Sequence, residues 1–64
     1  MNRNEKAEKK FIEYVKEHYG DKVEFSFIIE RDGRHVPNYR HITNDQNEVF
    51  KLQQVFARLL AEEN

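Results

Sequence analysis

The stretch that most narrows the possible folds runs from Val23 to Ile42, where an alternating apolar run breaks at Asp32-Gly33 and a second extended run follows. Val23, Phe25, Phe27 and Ile29 alternate with Glu24, Ser26 and Ile28, and a period of two sends the first four to one face of a strand. Residues of β-branched and aromatic type fit such a half-buried pleated surface, and Gly33 supplies the positive φ that a tight turn requires. A β-hairpin is therefore expected, with strands over about 23–30 and about 34–42.

Asp-Gly serves two turns, and each gives a different register. In a two-residue type I′ loop, Ile29 faces Val36, Val23 faces Ile42 and Phe25 faces Arg40. In a type I turn with a glycine bulge over Arg31, Asp32 and Gly33, Glu30 faces Arg34, Glu24 faces Arg40 and Phe25 faces Tyr39. The two registers turn opposite sides of the second strand inward. The bulged one is favoured, because it sets opposite charges across the ladder twice and places Tyr39 beside Phe25, each pair contributing roughly 0.2–1 kcal/mol. It also leaves Val36 and Ile28 together on the outer face, and Pro37, lacking an N–H, belongs on an edge or at a break.

Amphipathic helices are expected on either side. Ala7, Phe11, Tyr14, Val15 and His18 recur at helical spacing, widened by Ile12 and Tyr19, over a helix of about 3–19 capped by Asn2 or Asn4 and ended by Gly20. Thr43-Asn44-Asp45-Gln46 has the pattern of a capping box and opens a second helix of about 44–62. The second stripe is Val49, Leu52, Val55, Phe56, Leu59 and Leu60. Phe50 does not belong to it: at about 100° per residue it projects nearly opposite to Leu52, on the side of Ala57. The expectation is one α+β domain over residues 1–64, α-β-β-α, with two helices on one face of an antiparallel hairpin and with Phe27 and Phe56 in the core.

Composition then limits the function. At 64 residues the chain is near the lower limit for a core without staples, and it has no cysteine to supply a disulfide or a thiolate metal site. Charged residues make up 36% of the chain, yet the net charge is −1 and the signs are interspersed, so there is no general attraction to nucleic acid or anionic membrane. No apolar stretch is long enough for a signal peptide or a membrane span, and a cytoplasmic protein is expected.

Catalytic patterns are absent from the sequence. Ser26, the sole serine, falls mid-strand, Thr43 reads as a cap, and no glycine-rich loop leads from a strand into a helix. His35 and His41 on one extended strand would lie about 20 Å apart, too far to share an ion. Neither an enzyme nor a cofactor is expected, and no metal site. The local charge bias is the hairpin, where Arg31, Arg34, His35, Arg40 and His41 outweigh Asp32. A basic ribbon of that kind can enter a major groove, and Tyr39 could stack on an unpaired base. Nucleic-acid binding is accordingly the alternative reading.

The leading expectation is a non-catalytic protein-binding module acting through Ile28, Val36, Tyr39 and Phe50, which are apolar or aromatic positions that the core stripes do not absorb. In size, lack of catalytic residues and element order the chain is similar to many small proteins encoded by phages and mobile elements, anti-CRISPR proteins among them. That similarity rests on no motif residues and implies an inhibitor or regulator of a host protein. Two strands also leave their edges unpaired, and the first, free of proline over Val23 to Ile29, is the better edge for a homodimer or for a partner.

Overall fold

The structure, a computed structural model, describes residues 3–62, with side chains from Glu5 onward. Two helices pack on a two-stranded antiparallel hairpin: α1 (Arg3–Tyr19), β1 (Phe27–Ile29), β2 (His35–Pro37), a single 3₁₀ turn η1 (Tyr39–His41) and α2 (Gln46–Glu62). The caps assigned to Asn2 and to the Asn4 side chain lie outside the described residues. At the far end of α1, Gly20 takes φ 96° and donates its N–H to the Lys16 carbonyl at 3.0 Å, closing the helix with the left-handed residue that only glycine adopts without strain.

The core is the meeting of the two helical stripes. Ala7, Phe11, Val15, Val49, Leu52 and Phe56 are buried, four residues apart on α1 and three then four apart on α2, as an inward stripe requires. Phe11 meets Phe56 edge-on at 5.5 Å, and Tyr19 hydrogen-bonds Glu48. A residue late in α1 thus pairs with one early in α2 and an earlier one with a later one, so the helices run antiparallel. Tyr39 closes the cluster, its ring edge-on to Phe11 at 6.0 Å.

The hairpin has the bulged register. Phe27 pairs with Pro37, Ile28 with Val36 and Ile29 with His35. Gly33, at φ 86°, donates to the Glu30 carbonyl at 2.9 Å, Glu30 donates to the Arg34 carbonyl at 2.8 Å, and the Arg34 N–H bonds Asp32 Oδ1 at 3.1 Å. These are the bonds of a type I turn followed by a glycine bulge.

The strands are much shorter than the expected spans of about 23–30 and about 34–42. After Asn38 donates to the Ser26 carbonyl at 2.9 Å, its own carbonyl accepts from His41 at 3.1 Å, so the chain leaves the ladder for η1. That turn sets Tyr39 and Ile42 three residues apart, where a 3₁₀ helix stacks side chains, and both pack on the core. Tertiary burial of those two side chains therefore replaces the expected Phe25–Tyr39 and Glu24–Arg40 cross-strand pairs.

Three further expectations change. Ile29, expected inward, is 71% exposed, because it ends β1 beside the turn and α1 packs on β2. Phe27 is half-buried and lies outside the core cluster. The cap of α2 is Asp45 rather than Thr43: Asp45 Oδ1 accepts from the Asn47 N–H at 2.9 Å and its carbonyl from Val49 at 2.9 Å. Thr43 spends its N–H on the Tyr39 carbonyl and its Oγ1 on the Asp45 N–H, which seats it at the end of η1.

Phe11→Ala should therefore cost about 3–5 kcal/mol, close to the whole stability of so small a domain, whereas Phe27→Ala should cost about 1–2 kcal/mol. Urea melts of the two variants check this, and equal losses would contradict the described core. Amide exchange of Asn47 should accelerate in Asp45→Ala and not in Thr43→Ala, with about 1 kcal/mol lost in the former.

Candidate functional site

The residues of the expected interface come together in part. Ile28 and Val36, paired in the ladder, share the face away from His35 and Pro37 because side chains alternate. That face opens into a groove of about 290 Å³ that Ile28, Val36, Pro37 and Tyr39 line from the hairpin side and Gln46, Val49 and Gln53 from α2. Phe50 is not one of the lining residues; it lies on α2 between Gln46 and Gln53, one helical turn from each. Ile28 is 51% and Phe50 53% exposed. Asn38 and Arg40 complete the lining, so the groove joins an apolar strip at Ile28, Val36 and Val49 to polar groups, and its helical wall offers two amides as hydrogen-bonding groups.

Tyr39 differs from its expected role. Most of its ring is held by the core contact with Phe11, and the phenol is pushed up to about 12 by burial. It supports the groove from beneath rather than offering a free aromatic face. Tyr19, at the opposite end of α1, is also raised, first by burial and then by the Glu48 carboxylate it bonds.

The cationic residues proposed for nucleic acid are largely engaged within the chain. Arg34 bonds Asp32 at 2.6 Å. His35 Nδ1 lies 2.7 Å from Glu8 Oε1, tying β2 to α1. Arg40 donates from Nη1 to the Asn44 carbonyl at 3.1 Å and from Nη2 to Gln46 Oε1, clasping the segment that leads into α2. His41 Nδ1 and the Ser26 hydroxyl are 2.7 Å apart, a contact that sequence spacing alone could not show because it depends on the chain leaving the ladder at Asn38. Arg31, exposed at the turn, is the remaining member of the set. The five therefore form no continuous basic stripe, and each engaged arginine would have to exchange an existing bond for a phosphate contact.

Ser26 and His41 form an exposed pair. Nucleophilic catalysis also needs a group that orients the base and donors aimed at a developing oxyanion, and neither accompanies them among the described residues. Nor do three His, Asp or Glu side chains converge on a point that could hold a metal ion among those residues. No described helix is long and apolar enough to cross a membrane.

Because Tyr39 is held neutral by burial, folding should weaken as pH rises from the ordinary tyrosine value near 10 toward about 12. The sign follows from the raised folded-state value: the stabilisation is complete below the unfolded value and is lost as pH climbs through the folded one. Ultraviolet phenolate absorbance should show a late-titrating tyrosine whose ionisation coincides with loss of helical circular dichroism, and Tyr39→Phe should remove that component. A single ordinary transition for all tyrosines would contradict the placement of Tyr39.

Compared with protein-family models, curated proteins and solved structures, the chain matches none.

Proposed function

We propose that this chain is a non-catalytic protein-binding module whose docking surface is the groove between the outer hairpin face and the first half of α2. The observation that carries the reading is a groove lined by the half-exposed Ile28 together with Val36 and Val49, with a second half-exposed hydrophobic side chain, Phe50, on the adjoining surface of α2. A single exposed hydrophobic residue is ordinary, but one in a concavity with a second beside it gives a partner's apolar anchor a surface to bury. Gln46 and Gln53 suit the rim of such a contact, since they can satisfy backbone groups of the partner without a charge to desolvate.

The kind of partner is a protein segment presenting one apolar side chain to Val36 and Val49, with its polar backbone toward the glutamines. Such a module acts by occupying a surface of its partner, which is how a small inhibitor or regulator of a host protein would work. A second copy of the chain is also a protein partner, one that would meet the outer edge of β1 rather than the α2 wall of the groove. Nucleic acid is the weaker reading, because the hairpin's cations are mostly spent on internal bonds.

Phe50→Ala should weaken partner binding by about 2 kcal/mol or more while leaving the thermal transition unchanged, as befits an interface anchor that the core does not use. Proteins retained on the immobilised chain should survive a wash at moderate salt and be lost from the Phe50→Ala column. Retention that instead collapses with salt and follows added DNA or RNA would favour the nucleic-acid reading.

A further inference from the structure

We infer that a second copy of this chain pairs with β1 edge to edge about a two-fold axis at Ile28, so that two hairpins form one four-stranded antiparallel sheet. The first observation is which backbone groups point outward. The Glu30–Arg34 and Ser26–Asn38 bonds bracket β1, so by alternation Ile28 is the residue that exchanges bonds with β2, through Val36. The N–H and C=O groups of Phe27 and Ile29 consequently face away from β2. Of the described elements, β1 packs on β2 alone, and nothing among them covers that edge. The β2 edge is unsuited to the same use, since its outward positions are His35, tied to Glu8, and Pro37, which has no N–H.

The second observation is that the edge is complementary to itself in one register. Hydrogen-bonded pairs across the new interface must join outward-facing residues, so Phe27 and Ile29 can pair only with Phe27 or Ile29 of the other copy, or with the next outward positions along the chain. Centring on Phe27 sets Ile28 against Ser26, and Ile29 against Phe25, which is packed against the core. Centring on Ile29 sets Phe27 against Arg31 and Ile28 against Glu30. Centring on Ile28 instead pairs Phe27 with Ile29 on both sides of the axis, each exchanging both N–H···O bonds, and brings the two Ile28 side chains together at the close, non-hydrogen-bonded position. This register alone keeps every strand pair apolar.

The third observation is what it covers. Ile29 and Ile28, 71% and 51% exposed, are neighbours on opposite faces of β1, and no single-faced contact buries both. Edge pairing places Ile29 beside Phe27 of the other copy on one face and Ile28 beside its own symmetry mate on the other. It also converts a two-stranded sheet of three-residue strands, too small to persist by itself, into one of ordinary width. The dimer shares Ile28 with the groove but not Phe50, so the two surfaces are separable.

Sedimentation equilibrium from low micromolar to millimolar protein should show a reversible monomer–dimer equilibrium. Ile29→Pro removes an outward N–H and no bond to β2, so it should raise the dissociation constant at least about tenfold with an unchanged circular dichroism spectrum. Ile29→Lys, which keeps the backbone donor but places like charges near the axis, gives the same test should the proline variant fail to fold. With rising protein concentration, amide exchange should slow at Phe27 and Ile29 and not at Ile28, which is already bonded to β2. Phe50→Ala should leave the dimer unchanged, so failure of the docking groove and failure of the dimer are distinguishable. A wild-type chain that stays monomeric at millimolar concentration, or a dimer that persists in a folded Ile29 variant, would overturn the inference.

Discussion

Phe11 is the side chain on which the rest of the structure depends. It is fully buried in the middle of α1 and is met edge-on by Phe56 from α2 and Tyr39 from η1. Edge-to-face contacts fix ring orientation as well as distance, so one residue sets the positions of both partners. With few large apolar side chains and no staple, a chain of this size has little with which to replace that contact. The route of the backbone after β2 then follows, because Tyr39 reaches Phe11 only if the strand stops and coils.

That early exit from the ladder has consequences for the surface. It carries Arg40 away from a cross-strand position and onto the segment leading into α2, where it bonds the Asn44 carbonyl. It brings His41 back to Ser26. It also leaves a short hairpin whose outer face is flanked by α2 rather than extended beside it, and the groove between Ile28 and Gln53 is the space that results. Core burial and the candidate interface are thus linked through one turn of 3₁₀ helix.

The hairpin itself is held by local bonds in its turn and by tertiary contacts along one strand only. Near the tip, Gly33, the Asp32 side chain and the Glu30–Arg34 pair hold the bulged turn with short-range bonds. Along β2 the hairpin is held by α1, through Glu8 on His35 next to the turn and the burial of Pro37 at the base. β1 has only its partner strand. The exposed isoleucines lie on that less supported strand, which is where a second molecule would add most.

Local sequence determined the elements whose causes are local. The periodic stripe of α1 and its end at Gly20, the inward stripe of α2, the hairpin turn at Asp32-Gly33 with its bulge, and the position of Phe50 off the α2 stripe all follow from spacing or from one residue's backbone preference. What only the tertiary structure decided is how far those preferences extend. Alternation in Val23 to Ile29 favours a long strand, but burying Tyr39 and Ile42 against the helices favours the 3₁₀ turn, and burial prevails over a few ladder bonds. Thr43 carries a legitimate cap pattern and loses it to Asp45 because η1 has already taken its N–H. Phe27 and Ile29 have the right period to face a core, but period gives the side on which a residue lies and not whether a helix is there to cover it. Alternation set Ile28 and Val36 on the outer hairpin face, but the groove they share with residues 49 and 53 is not written in the sequence, since its walls come from segments brought together only by the packing around Phe11.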